Sequence, residues 1–212
     1  MRNFVLPKYY QSELISTLKS IRNSQEKRNN FSPTKFKVGK LTFYIPKYFG
    51  FCFGVKNAIE ICYKTIKENP RKKIYLLSEM IHNPNVNNDL KENGVKFIKD
   101  EKGNTIIPWK EIKKEDIVII PAFGTTIENL NILKSKKIQT EKFDTTCPFV
   151  TKVWTKSEQL ASKDYTVIIH GKPEHEETKS TFSHAKKNAP TIIIKDIKEA
   201  KKLSKYILNN EK

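Results

Sequence analysis

From Leu41 onward the chain alternates short apolar runs with stretches whose apolar residues recur at helical spacing, and this rhythm restricts the fold more than any other feature. The runs Leu41 to Ile45, Ile74 to Leu77, Val95 to Ile98, Ile117 to Ile120, Val167 to Ile169 and Thr191 to Ile194 read as buried strands. Between many of them lie helical patterns over Val55 to Glu68, Val86 to Asn93, Ile127 to Leu133, Phe149 to Ser162 and Ile197 to Leu208. Strand and helix in alternation predict α/β lobes built on parallel sheets. Asp100 to Glu115, with its Lys-Gly-Asn turn and Pro108-Trp109, reads as a surface excursion. Residues 1–40, rich in Lys, Asn and Ser, form an N-terminal extension; Leu14, Ile15, Leu18 and Ile21 suggest one short amphipathic helix there, and Asn29 to Pro33 a loop. A proline at the first helical position after Cys147 marks the boundary between a first lobe, 41–147, and a second, 148–212.

The chemistry-bearing residues follow the expected strands. Cys52 comes after the first, His82 after Ile74 to Leu77, Phe123-Gly124 after Ile117 to Ile120, Cys147 after a further run from Ile138 to Phe143, and His175 with Glu177 after Val167 to Ile169. Open parallel sheets bind ligands beyond the carboxyl ends of their strands, so one cavity can collect all of them. Cys52, between Gly50 and Gly54, and Cys147, before Pro148, each stand at a helix start, where the positive end of the helix favours a thiolate. Glycines beside such a thiol let a bulky inorganic partner approach. Two convergent thiols suit a soft metal or an iron-sulfur centre; zinc fits less well, because no Cys-x-x-Cys pair is present. His82 is either a ligand anchor or an ordinary hydrogen-bonding loop residue. In the polar cluster His170 to Thr178 a metalloprotease pattern fails, since Lys179 stands where a second histidine is required. A buried pair of His175 and Glu177 can bind an anion and move a proton; the alternative is a solvated turn.

The formal charge of +17 invites a nucleic-acid reading, but only four of the 40 basic residues are arginine and the lysines are spread over nearly every segment. Base and phosphate readout favours arginine, so solvated lysine faces are expected and no nucleic-acid partner. Three cysteines without a secretion signal argue against a disulfide framework, and Cys62 lies on the apolar stripe Val55, Ala58, Ile59, Cys62, Ile66, expected to face the core. No uncharged stretch is long enough to cross a bilayer, which leads to an expectation of a cytoplasmic protein with no membrane partner.

Taken together and in order, Gly50-Phe-Cys-Phe-Gly-Val55, Glu79-Met-Ile-His-Asn-Pro84, Pro121-Ala-Phe-Gly124, Asp144-Thr-Thr-Cys-Pro148 with Thr151-Lys-Val-Trp154, and His170-Gly-Lys to His175-Glu-Glu-Thr178 resemble the 4-hydroxy-3-methylbut-2-enyl diphosphate reductase (IspH/LytB) family from about Phe43 onward. The resemblance implies three α/β lobes around a 4Fe-4S cluster, and reduction of an allylic diphosphate alcohol to isopentenyl and dimethylallyl diphosphate in the non-mevalonate pathway. The electron donor it implies is an outside protein such as ferredoxin or flavodoxin. Cys52 and Cys147 match two of three cluster cysteines, His82 and His175 match diphosphate-holding histidines, and Glu177 matches the proton-supplying carboxylate. Phe123 replaces a histidine found in many members. The third cysteine belongs to a third lobe, so the expectation is an N-terminal portion whose second lobe is incomplete and which is inactive alone. The competing expectations are a non-catalytic metal- or anion-binding remnant and a basic nucleic-acid binder.

Overall fold

The computed structural model describes residues 13–14, 16–18, 20 and 31–209. Leu14 and Leu18 are helical; Ile15, Ile21 and the first two residues of the Asn29 to Pro33 loop lie outside the described residues.

The described residues from Phe31 onward open on a hairpin of β1 (Thr34–Val38) and β2 (Leu41–Ile45), antiparallel, with Val38 facing Leu41. Gly39 at φ +57 opens its two-residue turn, and glycine is the residue that takes that backbone without strain. The run Leu41 to Ile45 is therefore a strand but not a buried one of a parallel sheet. Its partner came from the polar extension, and Leu41, Phe43 and Tyr44 remain exposed.

Helix α1 (Phe53–Glu68) follows, and its predicted stripe turns inward: Ala58, Ile59 and Cys62 are fully buried. Strand β3 (Ile74–Leu76) leads to α2 (Pro84–Glu92), which Asn83 caps by accepting from the Asn85 and Val86 amides, with Pro84 at the first position where no amide is needed. After β4 (Lys96–Phe97) comes the expected excursion, held by Asp100, whose carboxylate gathers the Lys102 and Asn104 amides and the Asn104 side chain. Strand β5 (Ile117–Ile119), α3 (Ile127–Ser135), α4 (Pro148–Ala161), β6 (Val167–His170), α5 (Glu176–Lys186), β7 (Thr191–Ile194) and α6 (Ile197–Asn209) complete the order.

The first parallel sheet has strand order β4-β3-β5 and the second is the pair β6-β7. The strict alternation of a strand divides the first sheet's core in two. Ile74 and Leu76 join the α1 and α2 residues Ile59, Cys62, Val86 and Leu90 on one face. Tyr75 and Leu77 join Val118, Ile120 and the α3 residue Leu133 on the other. Helices cover both faces, so the strands read as continuous apolar runs.

Two further expectations change. Ile138 to Phe143 is not a strand: Lys137 has a positive φ, and Phe143 donates back to the Thr140 carbonyl, turning the chain before it can extend. Only Asp144 reaches the sheet, through a parallel bridge to Ile120. Conversely, α5 was not foreseen, because it packs through Thr178, Ser180, Thr181 and Ala185 rather than through an apolar stripe. Among the described residues no helix is long and apolar enough to cross a membrane.

Candidate functional site

Both site thiols sit at helix starts. Cys52 is the N-cap of α1 and Cys147 that of α4, and neither side chain is spent on a capping hydrogen bond. They come to the same turn: a side chain at Gly54 would overlap the Cys147 Sγ, and Cys52 lies two residues, at most about 7 Å of chain, before Gly54. The room that Gly54 leaves is taken by the Cys147 side chain. Cys147 is fixed by its amide, which donates to the Ala122 carbonyl at 2.9 Å just past β5. Cys52 is exposed, Cys147 half-buried, and all three cysteines are free. Cys62 is buried as expected, and burial pushes its thiol up to about 12, leaving it an inert core residue.

Beside Ala122, Phe123 stacks on His82 with ring centroids 4.4 Å apart, and its edge meets His175 at 6.0 Å. The two histidines touch, Nε2 to Nε2, at 2.7 Å. Their hydrogen bonds order the protons. The Glu177 amide donates to His175 Nδ1, so His175 carries its proton on Nε2 and donates it to His82 Nε2. His82 then holds its proton on Nδ1, which faces Glu79 Oε2 at 3.3 Å. Glu79 is itself oriented by Asn87, whose amide donates to Oε1 at 2.8 Å and to the Ile81 carbonyl. His175 thus serves twice, as the N-cap of α5 and as the bridge between the two sheets' loops.

A further stack joins α4 to α5 and packs both against the turn after β5. Trp154 of α4 and His184 of α5 lie parallel at 3.7 Å, and the Trp154 ring fills the space a side chain at Gly124, φ +73, would need. His184 Nε2 donates to the Thr125 carbonyl at 3.1 Å, as does Ser180 Oγ at 3.2 Å. Burial, the largest influence, holds the His184 imidazole below its ordinary range, against the opposing pull of the Thr125 carbonyl and of Glu158.

A cavity of about 370 Å³ opens beside the histidine pair, lined by Ile169, His170, Gly171, Lys172, His175, Glu177, Thr178 and Thr181. Glu177 is exposed and His175 half-buried, so the expected pair is present but not buried in this chain. Gly171 is needed for closeness: a side chain there would press on Thr178 Oγ1 at 2.6 Å. The structure therefore draws His82, Phe123 and His175 into contact, places Glu177 at the same cavity, and brings Cys52 and Cys147 to a neighbouring turn. Among the described residues no three His, Cys, Asp or Glu side chains group closely enough to hold a metal ion. Sequence reasoning left Glu79, Asn87 and His184 without a role. The spacing of Glu79 three residues before His82 was the signal available for the first; the other two depend on packing alone.

Known proteins resemble this chain in sequence and fold. The LytB protein family model matches residues 44–211. The 4-hydroxy-3-methylbut-2-enyl diphosphate reductase of Cyanothece sp. (strain PCC 7425 / ATCC 29141) is 39% identical over 201 residues, 94% of this chain and 45% of that protein. That of Prochlorococcus marinus (strain MIT 9515) is 40% identical over 198 residues, 93% of this chain and 45% of its own length. Among solved structures, an (E)-4-hydroxy-3-methyl-but-2-enyl diphosphate reductase described as the terminal enzyme of the non-mevalonate pathway matches with a TM-score of 0.59 and 32% identity, over 72% of this chain and 50% of that one. The E-1-hydroxy-2-methyl-but-2-enyl-4-diphosphate reductase of Plasmodium falciparum matches with a TM-score of 0.63 and 28% identity, over 74% and 45%. The chain spans about half the length of the relatives it matches. With its paired thiol turns, its histidine contact and its parallel sheets all falling inside the matched region, the chain belongs to the LytB protein family.

Proposed function

We propose that this chain supplies the thiolate, diphosphate and proton-donor parts of a 4-hydroxy-3-methylbut-2-enyl diphosphate reductase site. The observation that carries the reading is the 2.7 Å contact of His82 with His175, beside Glu177 and one loop from Cys147. The reaction consumes two electrons and two protons; the allylic C–O bond breaks, a C–H bond forms, and the oxygen leaves as water. On this reading residues 41–147 are the first lobe and 148–212 belong to the second, and the remaining wall of the cavity comes from polypeptide equivalent to the rest of the family's length.

Cys52 and Cys147 suit an iron-sulfur cluster: both thiols are uncommitted, both sit at helix N-termini, and Gly54 lets them share a turn. They provide two of the thiolates such a group needs. When bound, a 4Fe-4S cluster supplies the electrons for reduction and, at an iron without a protein ligand, Lewis acidity. Keeping the thiols reduced calls for a reducing, cytoplasm-like compartment.

The histidines hold the substrate's diphosphate. In the free protein one Nε2–H faces one bare Nε2. With the two rings parted and each presenting an Nε2–H, an anionic oxygen between them accepts from both. Glu79 Oε2 accepts from His82 Nδ1 and steadies the ring from behind. Phe123 forms an apolar wall against both rings, so the diphosphate is held from two sides rather than three. Glu177, exposed to the same cavity, delivers protons to the reacting end of the substrate.

The test uses the chain together with the remaining part of the family fold, assembled under anaerobic conditions. Glu177→Gln is expected to lower product formation by at least about 100-fold while iron content and visible absorbance stay unchanged. Full activity in that variant refutes the proton-donor role; absence of iron in the unmutated assembly favours an anion-binding remnant instead.

A further inference from the structure

Helix α5 carries His175 at its cap and Glu177 in its first turn, so the place of both follows from how this one helix is held. Its buried face offers little to the hydrophobic effect: of Thr178, Ser180, Thr181 and Ala185 only the last is apolar. What it has instead is a row of polar rungs. At the first turn Glu176 pairs with Lys179 at 3.1 Å, and Gly103 of the excursion lies over the pair, where a side chain would begin 2.7 Å from Glu176 Oε1 and 2.6 Å from Lys179 Nζ. One turn on, Ser180, fully buried, donates to the Thr125 carbonyl at 3.2 Å. Ser183 then accepts from the Ile127 amide and donates to Glu128 Oε2, both at 2.9 Å, and His184 donates to the Thr125 carbonyl again. At 3.6 residues per turn, positions 176, 180, 183 and 184 fall within about 100° of one another, on one side of the helix. The receiving turn is itself tied down. Thr125 Oγ1 accepts from the Asn129 side chain at 2.8 Å, Thr126 caps α3, and Phe123, two residues earlier, is the ring stacked on His82.

Apolar burial is non-directional and lets a helix slide along its axis or turn about it, whereas hydrogen bonds fix both. The distinction matters because the contact of His82 with His175 tolerates almost no movement. Bonds from an N–H donor span about 2.7 to 3.2 Å, so a shift of α5 by about 0.5 Å, a third of the rise of one residue, breaks a contact now at 2.7 Å. We infer that Ser180 and Ser183 are positioning residues. Through the turn 125–128 they set the axial place of α5, and with it the register in which His175 meets His82 and Glu177 reaches the cavity. One turn thereby serves both sides of the contact, with Phe123 against His82 and Thr125 against the serine face of α5. The bearing of this register on a reaction rests on the reductase reading, which needs the diphosphate contacts and the proton donor at a fixed separation; the register itself does not.

A spectroscopic signature of the contact tests it. In the whole chain labelled with nitrogen-15 at histidine, the hydrogen bond between the two rings gives a nitrogen–nitrogen coupling between His175 Nε2 and His82 Nε2, read by NMR. The double variant Ser180→Ala, Ser183→Ala should lower that coupling at least about twofold, because it falls steeply as the bond lengthens or bends. Circular dichroism should stay native, since His184 still serves the Thr125 carbonyl. The control is Ser157→Ala. Ser157 is a buried serine of α4 whose hydroxyl donates to the Val153 carbonyl within its own helix, and its loss should leave the coupling unchanged. If the double variant does not fold, each single variant takes its place and should give a smaller fall in the same direction. An unchanged coupling in the folded serine variants overturns the inference, as does an equal fall in Ser157→Ala or the absence of coupling in the native chain. A fall in the serine variants together with full activity of Glu177→Gln in the assembled enzyme sinks the reductase reading and leaves the register standing. An unchanged coupling together with an inactive Glu177→Gln does the reverse.

Discussion

Substituting Gly54 by alanine tests the closest approach between the two thiol-bearing turns. An alanine Cβ there would overlap Cys147 Sγ and stand 3.2 Å from Cys147 Cβ, against 3.4–4 Å for ordinary contact. The sulfur is the end of a one-bond side chain, so it escapes by rotating about χ1, at about 0.5–1.5 kcal/mol if it leaves a staggered position. Overpacking costs as much as about 3 kcal/mol where rotation is blocked. Alanine also gains about 1 kcal/mol over glycine in a helix, which masks the clash in a single mutant. A double-mutant cycle removes that gain, because it is common to both backgrounds. Gly54→Ala is therefore made in the native chain and with Cys147→Ala, and urea midpoints give four stabilities. The expected coupling is about 1 kcal/mol, with Gly54→Ala more harmful when the sulfur is present, and the displaced Cys147 should react faster with iodoacetamide. A coupling below about 0.3 kcal/mol would falsify the contact between the turns.

Two further outcomes follow from buried groups. Because burial lowers the folded His184 value, the unfolded chain takes up that proton first, so stability is full above about pH 6.5 and falls as pH drops. His184→Gln should flatten the dependence of the urea midpoint between about pH 7 and pH 5 attributable to this residue; an unchanged slope means His184 is not held neutral by its Trp154 stack. At pH 8, iodoacetamide should modify Cys52 and Cys147 in the native chain and Cys62 only in urea, as read by mass spectrometry, since the Cys62 thiol is buried and pushed up to about 12. Equal native labelling of Cys62 and Cys52 would place the α1 stripe outside the core.

Legibility followed the physical origin of each signal. The strands Ile74–Leu76 and Ile117–Ile119 are buried on both faces, and burial on both faces writes itself as an unbroken apolar run. Helix α1 repeats its apolar residues at the period that burial of one face requires, and Cys62 could be assigned to the core for that reason. The hairpin was misread because a run such as Leu41 to Ile45 does not say what pairs with it, and its partner Thr34–Val38 alternates lysine with phenylalanine. Helix α5 left no periodic trace because its inner face is made of Ser, Thr and Ala, small enough to bring the helix close to Gly124 and Thr125.

The site shows the same division between local and long-range information. Cys52, Cys147, His82 and His175 stand out by residue type and by position after a strand or before a helix, both of which are local properties. What joins them is not local. The proton order through Glu177 N–H, His175, His82 and Glu79 depends on groups far apart in the chain, brought together only when two separate sheets present their loops to one side. Phe123 illustrates the limit. As a letter it is only an aromatic residue after a strand; in place, it stacks at 4.4 Å on His82 and meets His175 edge-on, so it fixes the orientation of both rings. A residue with no polar contact of its own can thus set the geometry of polar neighbours, because an aromatic ring excludes water and restricts rotation on the face it covers.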